Sequence, residues 1–134
     1  MDTDGVTALL GRLGDVPGVG VDVEVIDRFA NPDERLFTTE ELAYCAMQAN
    51  PAESRAGRWC AKEAVSKACA KYLQLTLREI EIREGPSGRP IALLSNRAAE
   101  VGLVAEVSIA HADGMAMAVA IASVRQVPSA ENTP

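Results

Sequence analysis

A glutamate stands between two lysines at Lys62, Glu63 and Lys67, inside RWCAKEAVSKACAKYL (residues 58–73), a run otherwise dominated by small apolar residues. Two more carboxylates, Asp22 and Glu24, occupy alternate positions in GVGVDVEV (residues 18–25), and the single histidine, His111, closes VSIAH (residues 107–111). Alternate residues of a strand project to the same face, so Asp22 and Glu24 lie side by side and repel unless a cation separates them. A hard cation such as Mg2+ takes oxygen ligands and keeps waters and phosphate oxygens in its shell. Histidine, in turn, can accept a proton near neutral pH. If Glu63 faces the same place as the strand acids, three carboxylates beside two lysines describe a metal–diphosphate site. Plainer alternatives stand beside each reading. Glu63 and Lys67 at i and i+4 make an ordinary surface ion pair worth about 0.2–0.5 kcal/mol. Asp22 and Glu24 suit the wet face of an edge strand, and His111 suits a turn histidine bonded to backbone.

These residues need elements to hold them. Residues 1–16 read as an N-terminal extension with a loose helix around Val6 to Leu13. Pro17–Val25 alternates as a strand, and a short helix over Val25–Ala30 stops at Asn31-Pro32. Thr38 or Thr39, followed by Glu41 or Glu40, opens a helix over Glu40–Gln48, which Asn50-Pro51 breaks. The long helix is expected from Glu53 to Leu73. Ala61, Ala64, Val65, Ala68 and Tyr72 form its core stripe, and Lys62, Glu63, Ser66 and Lys67 the opposite arc. Leu77–Arg83 and Pro90–Leu94 read as strands around the Gly85-Pro86-Ser87-Gly88 turn. Asn96 is expected to cap a helix to Val101, ended by Gly102. Val104–His111 and Met115–Val124 then form a hairpin across Asp113-Gly114. The fold class is α+β, a small and mainly antiparallel sheet packed against a long helix. One domain spans residues 17–124, and the polar tail over residues 125–134 is expected to be disordered.

Composition narrows the function. The 134 residues are 48% hydrophobic and 24% charged, enough for one globular domain with its own core. With no membrane-length apolar run and no signal peptide, a soluble, cytoplasmic protein is expected. Cys45, Cys60 and Cys69 are odd in number, without C-x-x-C spacing, and read as reduced thiols rather than zinc ligands. A net charge of −6 argues against general nucleic-acid binding. Between Arg55 and Lys71, however, five basic residues face one acid, and this basic stripe suits a compact polyanion.

Together, GVDV at 20–23, RWCAKEAVSK at 58–67, GRP at 88–90 and SIAH at 108–111 resemble the 4′-phosphopantetheinyl transferases. The likeness is to the short holo-acyl-carrier-protein synthase type and to the transferase domains of fungal fatty acid synthases, and it runs from about residue 17 to 124. It implies transfer of the phosphopantetheine arm of coenzyme A to a serine of an apo acyl carrier protein, in fatty acid or polyketide synthesis, releasing adenosine 3′,5′-bisphosphate. It implies Mg2+ held by Asp22 and Glu63, with Glu24 as a third ligand. Lys62 and Lys67 would bind phosphate, and Arg58 would be an entrance cation. Gly88, Arg89 and Pro90 would wall the nucleotide, with Ser66 and Ser108 as further coenzyme A contacts. His111 would lie near the diphosphate or the attacking serine, with Glu63 or a metal-bound water as the other candidate bases. This chain has Ala112, not an acid, directly after His111; Asp113 follows one place later. The short relatives assemble as homotrimers with sites between neighbours, and the same is expected here. Two rival readings are a magnesium-dependent diphosphate hydrolase and a non-catalytic coenzyme A-binding module.

Overall fold

Glycine on β1 (Gly18–Val25) sets the layout of the domain. In the computed structural model, which describes residues 3–125, Gly18 and Gly20 lie directly beneath the long helix α3 (Pro51–Cys69). A Cβ on Gly18 would come 1.9 Å from the Ala68 carbonyl oxygen, and one on Gly20 2.0 Å from that of Ala64. Helix and strand backbones therefore pack against each other with no side chain between them.

The chain begins with α1 (Thr3–Arg12), which buries none of its residues, and crosses to β1 by a short 3-10 turn. After a second such turn at Ile26–Phe29 comes α2 (Thr39–Ala46), opened by Thr38. The Thr38 hydroxyl accepts from Glu41 N, and Thr38 N donates to Glu41 Oε1 at 2.8 Å, a reciprocal capping box. Asn50 caps α3, with Pro51 at its first turn. Strands β2 (Ile80–Glu84) and β3 (Pro90–Leu94) form a two-stranded antiparallel sheet. Helix α4 (Asn96–Glu100) leads into β4 (Leu103–Ala112) and β5 (Met115–Val124), which join β1 in the order β1-β5-β4, all antiparallel. The expected α+β architecture with its long helix is present. Asp113 and Gly114 take positive φ in the β4–β5 turn, as a two-residue hairpin requires.

Local differences have local causes. Leu77–Glu79 is a 3-10 turn rather than strand, because Thr76 and Glu79 close a capping box there. Ser95, not Asn96, caps α4. Helix α3 ends at Cys69, four residues short of the expected Leu73. Apart from Arg125, the tail expected to be disordered lies outside the described residues. No helix among the described residues is long and apolar enough to cross a membrane.

The core lies between α3 and the inner face of the three-stranded sheet. Alanines 116, 118, 120 and 122 of β5 line that face, against Ala61, Ala64, Val65 and Ala68 of α3. The larger residues face outward: Val19, Val21 and Val23 of β1, with Met117, Val119 and Ile121 of β5, are between 45% and 64% exposed.

Candidate functional site

The contact made by Gly18 and Gly20 carries on along β1. Asp22 and Glu24 follow Gly20 at two-residue spacing, so both carboxylates point toward α3 and the valines between them point away. The polar face of β1 is thus the inner one. Asp22 Oδ1 accepts from Lys67 Nζ at 3.2 Å, and the same ammonium donates to the Val21 carbonyl at 2.9 Å. Asp22 Oδ2 is buried and has no hydrogen-bond partner, an expensive state for a carboxylate oxygen.

Glu63 lies on the same flank. Burial raises its carboxyl above the usual range; the Asp22 charge adds to the rise, Lys67 opposes it, and Glu24 contributes further. Beneath the acids, the Cys60 thiol is pushed up to about 12, first by burial and then by the charges of Asp22 and Glu24. Glu24 itself is already engaged. Its Oε1 accepts from Trp59 Nε1 at 3.3 Å, and Arg28 pairs with its Oε2. Asp22, Glu24, Glu63 and Lys67 therefore come together as the sequence suggests. Trp59 and Arg28 complete the group, and no sequence signal marked either as a partner of Glu24. Among the described residues, no three acid, thiol or imidazole groups converge into a ready-made metal cage. What exists is a pair of carboxylates, one with a buried unpartnered oxygen. That donor set suits a hard cation whose remaining ligands come from water or phosphate.

Lys62 does not share this arc. It is 1% exposed, its ammonium 2.7 Å from Glu41 Oε1, and the other oxygen of Glu41 accepts from Ile82 N at 2.8 Å. One buried carboxylate thus ties α2, α3 and β2 together, and Lys62 is a structural cation instead of the expected phosphate ligand. The basic stripe also divides. Arg55 is buried and donates to the Phe29 and Ala30 carbonyls, Arg58 covers the Tyr44 ring, and Lys71 donates to Leu13 and Val16 carbonyls. Only Lys67 of the five stands beside the acids.

His111 belongs to a second group, on β4 across β5 from the strand acids. Gly57 of α3 faces Ile109 and His111 of β4, while Ala64 and Ala68 further along face Gly20 and Gly18 of β1. The imidazole edge lies against Gly57, where a Cβ would come 2.8 Å from Nε2. Its Nδ1 is 3.6 Å from Glu53 Oε1. Glu53, Arg58 and His111, with Tyr44, Asn50 and Ser54, line an open cleft of about 300 Å³. Arg58 stacks 4.1 Å from the Tyr44 ring centre, with its Nε buried and unpartnered. Across the sheet, Glu24, Ala116 and His111 are level with one another, so the single strand β5 stands between Glu24 and His111. Among the described residues, no hydrogen bond or ion pair joins His111 to the carboxylate group. The mid-helix Gly57 is a signal that could have pointed to a close neighbour there.

The remaining candidates lie elsewhere. Ser66 is half-buried on α3, and Ser108 is exposed on the outer face of β4. Gly88 has a positive φ in the β2–β3 turn, Arg89 pairs with Glu106 of β4, and Pro90 begins β3. Among the described residues, no hydrogen bond or ion pair joins Gly88, Arg89, Pro90 or Ser108 to the carboxylate group.

The chain is similar to known proteins of one family. The family model for the 4′-phosphopantetheinyl transferase superfamily matches residues 18–121. The chain is 40% identical over 115 residues to the holo-[acyl-carrier-protein] synthase of Caldicellulosiruptor bescii, covering 78% of this chain and 95% of that protein. It is 42% identical over 117 residues to the fatty acid synthase subunit alpha of Candida parapsilosis, covering 78% of this chain but only 6% of that much longer subunit. The crystal structure of Helicobacter pylori holo-[acyl-carrier-protein] synthase in complex with coenzyme A is similar at a TM-score of 0.65 and 26% identity, covering 78% of this chain and 99% of that one.

Proposed function

The chain belongs to the 4′-phosphopantetheinyl transferase superfamily, and from that premise we propose that it transfers the 4′-phosphopantetheine arm of coenzyme A to a serine of an apo acyl carrier protein. The second product is adenosine 3′,5′-bisphosphate. The observation that carries this reading is the group on β1 and α3: two carboxylates, one with a buried unpartnered oxygen, beside a half-exposed lysine.

Asp22 and Glu63 would hold Mg2+, and Glu24 would stay with Trp59 and Arg28 as a support for the site. When bound, the ion would neutralise charge on the diphosphate as the bridging bond breaks. Lys67 is placed to exchange its contact with Asp22 for a phosphate oxygen, adding a second positive charge on the same side. Arg58, held over Tyr44 in the second cleft, offers a fixed cation to the nucleotide end. His111 is the base that receives the serine proton.

Such a reaction needs both groups, and within one chain β5 lies between them. A homotrimer would resolve this. The outward valines of β1 and the Met117, Val119 and Ile121 face of β5 form the kind of exposed apolar surface that marks a contact. Closed cyclic symmetry would bury that face and set one chain's carboxylates near a neighbour's His111. Three buried free thiols suit a reducing compartment, the cytoplasm. The carrier would serve fatty acid or polyketide synthesis.

The test is to mix the protein with coenzyme A, Mg2+ and an apo carrier protein and weigh the carrier. A mass gain of one phosphopantetheine is expected. Cleavage of coenzyme A without the carrier would instead identify a diphosphate hydrolase, and binding without cleavage a coenzyme A-binding module.

A further inference from the structure

The imidazole of His111 meets one carboxylate, and it comes from a different element. Ala112, the next residue along β4, projects to the opposite face of the strand and carries no charge. Asp113 follows in the hairpin turn at a φ of 52°. From α3, however, Glu53 places Oε1 3.6 Å from His111 Nδ1. Arg58 of α3 and Tyr44 of α2 are the other titratable groups lining the cleft with His111. Glu53 is itself anchored: Asn50 Nδ2 donates to its Oε2 at 3.3 Å, and its backbone N–H donates to Asn50 Oδ1 at 3.1 Å. The side chain that faces the imidazole is thus held at the capped first turn of α3.

We propose that Glu53 is the positioning residue for His111, keeping the proton on Nδ1 and leaving the lone pair of Nε2 free to act as base. In a neutral imidazole one nitrogen carries the proton and the other accepts, and the partner of the first decides which. At 3.6 Å the two groups are in charge contact, and a small side-chain movement closes the gap to an ionic hydrogen bond. Gly57 completes the arrangement, since any side chain there would occupy the space at Nε2.

The proposal rests on the transfer reading, and the step balances within it. The serine hydroxyl gives its proton to Nε2 as its oxygen forms a bond to the pantetheine-side phosphorus. The bond from that phosphorus to the bridging oxygen breaks, and adenosine 3′,5′-bisphosphate leaves with the electron pair. Imidazolium, stabilised by Glu53, then returns its proton to solvent.

The experiment uses the fact that His111 is the only histidine of the chain. Nitrogen-15 spectra of the untagged protein at alkaline pH report which ring nitrogen is protonated, without coenzyme A or carrier. The parent should show the Nδ1–H form. Glu53→Leu should move the proton toward Nε2 and lower kcat for transfer by about tenfold to a hundredfold, a part of the roughly 10²–10⁴ that a positioned base supplies. Its KM for coenzyme A should stay within about twofold, because orientation of the base acts in the transition state rather than in binding. Glu53→Gln keeps an acceptor and should restore the Nδ1–H form and part of kcat. An unchanged tautomer in Glu53→Leu, or equal kcat losses in Leu and Gln variants, would overturn the role of Glu53. Absence of transfer by the parent protein would instead sink the reaction itself, since the tautomer is read without it.

Discussion

Replacing Gly20 by alanine puts one methyl group at the point where α3 and β1 are closest. The new Cβ would lie 2.0 Å from the Ala64 carbonyl oxygen, 2.8 Å from Ala68 N and 2.9 Å from Lys67 Cβ. Two of these three neighbours are helix backbone, so no side-chain rotation relieves the contact. Helix α3 must retreat by about 1 Å, and overpacking of this kind costs about 1–3 kcal/mol or somewhat more. We take about 3 kcal/mol, because the contact is with backbone. For a chain of this length that lowers Tm by roughly 9–15 °C. The retreat also carries Glu63 and Lys67 away from Asp22, and a 1 Å misplacement can reduce a rate by about a hundredfold. Thermal unfolding by circular dichroism at fixed protein concentration reads the first effect, and carrier modification reads the second. Gly11→Ala is the control, since nothing lies within 4 Å of its added Cβ. A Gly20→Ala protein that melts within about 2 °C of the parent and transfers at the parental rate would refute the close-approach argument.

Removing the buried cation alone, in Lys62→Ala, strands Glu41 inside the protein and should cost about 3–5 kcal/mol in chemical denaturation. The half-exposed Lys67→Ala should leave stability nearly unchanged but weaken coenzyme A binding in calorimetry and reduce its dependence on salt. Hydrogen bonds from Arg97, and then from Thr76 and Ser95, hold the Glu79 carboxyl down at about 2 against an ordinary 4.5. A depressed carboxyl stabilises the fold fully above its unfolded value and loses that contribution as pH falls through its folded value. Glu79→Gln should therefore flatten the stability curve between about pH 4.5 and 2, measured by denaturant titration at several pH values.

Much of this structure was legible because its signals are local. The Asp113-Gly114 hairpin, the Pro90–Leu94 strand and the Thr38–Glu41 cap each rest on residues within a few positions of one another. Alternation along β1 correctly placed Asp22 and Glu24 on one face and the valines on the other. It could not say which face is inside. Hydrophobicity alone would bury the valines, whereas Gly18 and Gly20 share a face with the acids and only that face admits the helix so closely. The same inversion holds on β5, where alanines are inside and Met117, Val119 and Ile121 outside. A strand apolar on both faces is an indication that a second surface covers it.

Long-range pairings were the illegible part. Lys62 sits near the edge of the polar arc, and its partner Glu41 is 21 residues away on another helix. The basic stripe was a grouping in sequence alone. At 100° per residue Arg55, Arg58 and Lys62 turn to one side of the helix and Lys67 and Lys71 to another. The resemblance to a family placed His111 and Asp22 in one site, and no single-chain pattern could reveal that β5 stands between their strands.

That separation makes subunit complementation the most direct test of the central claim, that one chain's carboxylate group works with a neighbour's His111. Asp22→Ala and His111→Ala proteins, each inactive alone, are mixed in equal amounts and allowed to exchange subunits. Exchange is verified by native mass spectrometry, and carrier modification is then measured. In a cyclic assembly, random mixing gives about a quarter of the interfaces both an intact Asp22 and an intact His111. Activity should return to about that fraction of the parent. No recovery after proven exchange, or an active protein that remains monomeric, would contradict the shared site.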